Sequence, residues 1–330
     1  MTDRFDEFEN DLDSQPTFED ALEELKTDDE SLPSPAMIVG LSGLSVEQLK
    51  QLGPVWDGLS TSYRRILMQM LVDASASNFA LDFRPIGFAT LTSAQADVRQ
   101  AAIELLAEDE SNAFLRDLLH IAQNDDASNV RAEAVKALGR FALLGEMGDL
   151  RDDLAETVQT TLLKIIGNAS EDSEVRRFAI ESIGNCTREG VPDVIAEAYR
   201  NADPNMRLSA VIAMGRSCDD RWENQILEEL TNNDNEFRIA AIRAAGEIQL
   251  DSAVRPIIKN IEDGERDEQE VAIWSLGEIG GKEAVRTLES LMAGAEDADD
   301  ANLIELIDDA LGNASLVNGD FMMIDFTDTE

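Results

Sequence analysis

Histidine occurs once in this chain, at His120, and cysteine twice, at Cys186 and Cys218. A single histidine excludes multi-histidine transition-metal centres. Any Ser/His/Asp or Cys/His arrangement would depend on that one residue, and its setting, RDLLHIAQ, reads as a helix, so His120 is expected to be structural. Two cysteines are too few for a disulfide scaffold or a structural zinc site, and are read as small core residues in a reducing compartment. Lysine and arginine together number 27 against 68 aspartates and glutamates, a formal net charge of -41. Such a surface repels nucleic-acid phosphates and anionic membranes, so neither is an expected partner. No apolar run approaches the roughly 20 residues of a membrane span, and the N-terminus (MTDRFDEFEN) is acidic where a leader would be basic. No membrane insertion and a cytoplasmic location are expected. Phosphate-cradling glycine loops of the Gly-x-x-x-x-Gly-Lys-Ser/Thr or Gly-x-Gly-x-x-Gly kind are missing, and no catalytic, cofactor or metal site is expected. Scarce lysine beside abundant acid also suits a salt-rich cytoplasm, where charge maintains solubility.

Hydrophobic residues, by contrast, make up 43% of the chain, with aromatics only 5% of it, a balance suited to close-packed helices. The chain repeats itself. Residues 172–184 read DSEVRRFAIESIG, 203–215 DPNMRLSAVIAMG and 234–246 DNEFRIAAIRAAG, each 31 residues after the last. The frame is Asp-x-polar-apolar-Arg-x-x-Ala-apolar-x-small-apolar-Gly. Taking the Arg position as reference, it recurs at 64, 99, 131, 176, 207, 238, 269 and 304, which makes eight units. Asp172, Asp203 and Asp234 sit where a helix N-cap belongs, and Pro204 where first-turn proline is tolerated. Apolar residues at -1, +3, +4 and +7 form one buried helix face. The Gly at +8 falls where it could end the helix. A second amphipathic segment precedes each of these helices, so each unit is a helical hairpin that buries its faces only by stacking on its neighbours. The fold class expected is all-α: an α-solenoid of about eight two-helix repeats.

This pattern resembles the HEAT-like repeats of the phycobilisome-lyase type, with residues 129–139 (NVRAEAVKALG) the nearest copy of the signature. The resemblance spans roughly residues 45–315 and implies an armadillo-type fold. It also implies that Asp172, Asp203 and Asp234 pair with Arg176, Arg207 and Arg238 along the stack. Gln269 and Ile304 depart from the pattern, so a polar ladder is expected to stop there. The related deoxyhypusine hydroxylases need several His-Glu pairs, and here Ile121 follows His120, which excludes that chemistry.

The expected organisation is a disordered acidic arm at 1–35, a solenoid at 36–315 and an acidic-hydrophobic tail at 316–330. Residues 1–35 carry 13 acidic residues against Arg4 and Lys26, a net of 2 - 13 = -11. Phe5, Phe8, Leu12, Phe18, Leu22 and Leu25 are scattered among the acids, so the arm has the makings of a docking helix for a second protein. The tail is expected to cap the last repeat. The 45-residue step between Arg131 and Arg176 predicts a longer connection or an extended first helix, with altered curvature. The unit around residues 82–92 is the least regular.

Second helices of such solenoids usually line the concave binding face. Positions +1, +5 and +9 point away from the core. In the early units they are mostly polar, but later they become Leu208, Ile212, Ile239 and Trp274, with Arg216 and Arg243 alongside. An apolar patch with Trp and Arg has the composition of a protein-binding hot spot. The function expected is therefore a non-catalytic protein–protein interaction scaffold or adaptor. The alternative that the resemblance implies is a bilin-lyase-like enzyme or enzyme subunit, although a -41 chain is a poor electrostatic host for an anionic tetrapyrrole.

Overall fold

The computed structural model describes residues 16–27 and 32–317, and among these it contains helices and no strand. Two short helices come first, α1 (Phe18–Thr27) and α2 (Pro35–Gly40). Eight hairpins follow, each a first helix and a second. They are α3 (Val46–Gly58) with α4 (Thr61–Ser77), α5 (Arg84–Thr90) with α6 (Ala96–Leu105), α7 (Asn112–Asn124) with α8 (Ser128–Met147), and α9 (Asp152–Gly167) with α10 (Ser173–Ile183). Then come α11 (Val191–Tyr199) with α12 (Pro204–Arg216), α13 (Glu223–Glu229) with α14 (Asn235–Glu247), α15 (Val254–Asp263) with α16 (Arg266–Ile279), and α17 (Gly281–Asp297) with α18 (Ala301–Val317). Every reference position of the repeat lies on a second helix, so the fold is the all-α solenoid that the spacing predicts.

Local chemistry sets the helix starts. Asp172, Asp203 and Asp234 accept hydrogen bonds from the backbone N–H of Glu174, Asn205 and Glu236 at 2.9, 3.0 and 3.0 Å. Ser45 and Gln48 form a reciprocal capping box at the start of α3. The 45-residue step lengthens α8 to 20 residues and α9 to 16, joined by a short connection.

The chain forms two compact units, one up to residue 141 together with 170–175, the other 142–169 together with the rest from 176. In the first, α4 stacks on α6, and α1 packs on α2 and α3. In the second, α12, α14, α16 and α18 stack in order, each covered by its own first helix. The frame positions -1, +3, +4 and +7 supply the core: on α12 these are Met206, Ala210, Val211 and Met214, all buried.

Of the +8 glycines only Gly184 ends its helix, directly after Ile183, the last residue of α10. Gly215, Gly246 and Gly277 lie within α12, α14 and α16. A Cβ on Gly184 would stand 2.8 Å from the Ala213 carbonyl oxygen, one on Gly215 2.7 Å from the Cα of Ala244, and one on Gly277 2.8 Å from the Cα of Ala310. Gly184, Gly215, Gly246 and Gly277 thus each receive the small +6 residue of the next second helix, so in the second unit the two motif positions are one contact read from both sides.

The motif arginines also find different partners from those the resemblance implies. In the first unit, Arg99 donates to both carboxylate oxygens of Asp125 at 2.8 and 2.7 Å, and Arg131 to the Asp125 carbonyl at 2.7 Å and to Glu171 at 2.6 Å. Burial pushes the Asp125 carboxyl up, but hydrogen bonds from Arg99 and the Ala127 N–H leave it below the usual range. In the second unit, Arg207 donates to Glu229 at 2.9 Å, and Arg238 to both oxygens of Glu268 at 2.8 and 2.7 Å and to the Asn232 carbonyl at 2.9 Å. Arg176 donates to the Ile166 carbonyl at 3.1 Å. Asp172, Asp203 and Asp234 are caps rather than rungs. The acids sit at varied offsets, Glu268 even at the -1 position that is otherwise apolar, where its side chain is 1% exposed. Gln269 keeps only the carbonyl half of the pattern, donating to Ile261 and Gly264 at 3.1 and 3.0 Å.

Three further expectations need correction. Residues 18–27, assigned to the disordered arm, form α1, because Phe18, Ala21, Leu22 and Leu25 fall at helical spacing and bury against α2 and α3. The acids Glu19, Asp20 and Glu23 keep the outer side. Cys186 is buried, and its thiol is pushed up to about 12 by burial, but Cys218 is exposed at a left-handed φ of 47°. His120 lies on α7, the first helix of its hairpin, and is exposed. Finally, α18 runs to Val317, past the expected boundary at 315, and its outer side is already polar: the +4 residues Val211, Ile242 and Ile273 are buried, whereas Asp308 at that position is exposed. The tail from 318 on lies outside the described residues, as do residues 1–15.

Candidate functional site

In a helix turning about 100° per residue, positions +1, +5 and +9 share one quadrant. On α12 they are Leu208, Ile212 and Arg216, on α14 Ile239, Arg243 and Glu247, and on α16 Glu270, Trp274 and Glu278. Stacking places the three sets side by side. All six residues expected from the sequence therefore lie on neighbouring second helices of one unit.

Their environment is mixed. Leu208, Ile212, Ile239 and Trp274 are half-buried, while Arg243 is exposed. Trp274 lies across the backbone of α14, its ring edge 2.9 Å from where a Cβ on Gly246 would stand. The Arg243 guanidinium covers the indole, 5.1 Å from the ring centroid. One side of the ring thus serves the stack and the other carries a cation. Ser209 and Ser275 fasten the helices, donating to Glu181 at 2.7 Å and to the Ile242 carbonyl at 2.8 Å.

The sequence argument missed the acids of this face. Glu247 folds over Gly215 between two arginines. Burial pushes its carboxyl above the usual range, against the opposing pull of Arg216 and Arg243. Glu278 accepts a hydrogen bond from Asn313 of α18 at 3.1 Å. The signal was available, since both acids stand at +9. Also missed were exposed apolar residues beyond the patch, Leu143 and Met147 on α8 and Leu316 and Val317 on α18. Leu316 is +12 from Ile304, one turn further along the same row.

Clefts occur elsewhere, beside the ladder arginines. One of about 380 Å³ is lined by Phe88, Arg99, His120 and Asp125, another of about 350 Å³ by Leu230, Arg238, Lys259 and Glu268. Their arginines are engaged in the ladder. None of the described helices is long and apolar enough to cross a membrane.

Residues 223–307, which span α13 to α18, match the family model of HEAT repeats. Among solved structures, the E. coli protein YibA is 15% identical with a TM-score of 0.45, the match covering 84% of this chain and 95% of YibA. An engineered protein is 17% identical with a TM-score of 0.39, covering 90% and 88% of the two chains. Importin beta is 13% identical with a TM-score of 0.43, covering 90% of this chain and 44% of importin beta. No curated protein matches the sequence.

Proposed function

We propose that the chain is a non-catalytic scaffold that receives a protein partner on the concave face lined by its second helices, at Leu208, Ile212, Arg216, Ile239, Arg243 and Trp274. The observation that carries this reading is the half-burial of four large apolar residues on three adjacent helices, with the Arg243–Trp274 pair among them. Residues needed only for stacking are fully buried here, as at +3, +4 and +7, whereas the residues at +1 and +5 of the early units are mostly polar. The patch belongs to neither class. Aromatic and arginine side chains of this kind dominate binding energy where they are desolvated on association.

The test is affinity capture from cell extract by the full chain and by a Trp274→Ala, Ile212→Ala variant. Loss of a specific partner with helical circular dichroism and melting intact supports the reading. Simultaneous loss of capture and fold shows that the residues are core.

A further inference from the structure

Arg64 is the first reference arginine of the repeat, on α4, where α4 stacks on α6. Among the described residues its buried Nε has no hydrogen-bond partner, and no carboxylate pairs with it. Arg65, its neighbour, lies 3.8 Å from Asp97 instead.

The next rung shows the full arrangement. Asp125 stands six residues before Arg131, and its carbonyl accepts from Arg131 at 2.7 Å. Its Oδ1 accepts the Ala127 N–H at 2.9 Å, and its carboxylate takes both arms of Arg99 at 2.8 and 2.7 Å. Ser93 stands six residues before Arg99 and repeats the first two of these contacts. Its carbonyl accepts from Arg99 at 2.8 Å, and its Oγ accepts the Gln95 N–H at 3.3 Å. Ser93 is therefore to Arg64 what Asp125 is to Arg99, without the negative charge. Gln95 also reaches this junction, but its Nε2 is committed to Thr61 at 3.1 Å and cannot neutralise a guanidinium.

A buried arginine donor without an acceptor is costly, so an oxyanion placed here gains a charge-assisted bond to a group already in position. A free anion is a poor source, because it approaches against a net charge of -41 and meets one guanidinium. An anion carried by the Ser93 side chain is already at the rung. Ser93 is half-buried in the loop between α5 and α6, flanked by exposed Thr92 and Ala94, which leaves the loop open to a modifying enzyme.

We propose that Ser93 is a phosphorylation site whose phosphoryl group pairs with Arg64 and completes the first rung. The Ser93 oxygen attacks the terminal phosphorus of a nucleoside triphosphate held by a protein kinase. The bridging P–O bond breaks, the nucleoside diphosphate leaves, and the hydroxyl proton passes to the base of the kinase. The new rung fastens α4 to α6 within the first unit and stands independently of the partner reading.

The experiment uses the full chain with phosphoserine genetically encoded at position 93. Its phosphorus NMR resonance is expected to titrate below the ordinary value of about 6, because Arg64 favours the dianion. Hydrogen exchange in residues 61–77 and 96–105 is expected to slow by about tenfold, the effect of one charge-assisted hydrogen bond. Arg64→Gln should abolish both effects. Ser93→Asp, which copies Asp125, should also slow exchange, and Ser93→Asn should not. A phosphoryl group that titrates at the ordinary value, or keeps its shift in Arg64→Gln, overturns the pairing. If Arg64→Gln fails to fold, the titration with Arg64 intact still decides. Phosphopeptide mass spectrometry of the chain purified from its own growing and starved cells reads the modification itself. Ser93 free of phosphate in both overturns the site, and phosphate on Ser93 supports it.

Discussion

Gly277 and Gly312 occupy the same position of the repeat, and alanine should have opposite effects at the two. Glycine inside a helix is about 0.8–1 kcal/mol less favourable than alanine, so the intrinsic effect of either substitution is stabilising. At Gly312 nothing lies within 4 Å of the added methyl, and the intrinsic gain stands alone. At Gly277 the methyl would stand 2.8 Å from the Cα and 2.9 Å from the carbonyl oxygen of Ala310. Those are backbone atoms, which cannot swing aside like the end of a side chain, so α18 must move outward by several tenths of an ångström. Overpacking of this kind costs about 1–3 kcal/mol, and the backbone contact argues for the upper half of that range. Set against the propensity gain, Gly277→Ala should destabilise by about 1–2 kcal/mol, whereas Gly312→Ala should stabilise by up to about 1 kcal/mol. Urea unfolding followed by circular dichroism gives the sign, and hydrogen exchange in α16 and α18 locates it. If Gly277→Ala stabilises the chain as much as Gly312→Ala does, the close approach of second helices is not what fixes glycine in the repeat.

Glu247→Gln should remove a pH dependence. Because burial raises the folded-state pKa of Glu247, its contribution is fully present below the unfolded carboxyl value and declines as pH rises through the folded one. Melting temperatures from acid to neutral pH should therefore fall less in the variant than in wild type, and parallel curves would refute this. Leu25→Ala, at a side chain 2% exposed in the α1 contact, should cost about 2–5 kcal/mol of local stability. Hydrogen exchange should accelerate in residues 18–58 but not in 204–279, since repeats couple mainly to neighbours. With a net charge of -41, melting temperature should rise with KCl as the screening length shortens from about 10 Å at 0.1 M to about 3 Å at 1 M; a flat curve would show that self-repulsion is not limiting.

The eight second helices, and the Asp caps of three of them, were legible because the repeat writes them in local chemistry: an Asp before the first turn, an apolar face at fixed offsets, a reference arginine in six of the eight. What was illegible depends on the neighbouring repeat. The +8 glycine is permissive in a turn and thin in a packed helix, and one copy of the motif cannot distinguish these uses. The ladder acids were hidden because Asp125, Glu171, Glu229 and Glu268 stand at different offsets among 68 candidates. Helix α1 was hidden by its composition. Averaged over 35 residues the acids dominate, while the spacing of Phe18, Ala21, Leu22 and Leu25 already describes one buried stripe. The six patch residues were legible as a set, because the +1 and +5 positions change from polar to apolar along the chain. The half-burial of Trp274 was not, since its ring lies at the close approach of α14 and α16 at Gly246.

At the C-terminal end the apolar +4 position becomes Asp308, and Gly312 meets nothing. At the N-terminal end α1 covers α3 and turns Glu19, Asp20 and Glu23 outward. In the second unit the outward row of α12, α14 and α16 keeps the large apolar side chains Leu208, Ile212, Ile239 and Trp274 half exposed on successive repeats. The repeat can vary +1, +5 and +9 without disturbing the +6/+8 contact that holds neighbours together. A scaffold that must change partners without refolding would place its specificity at those positions.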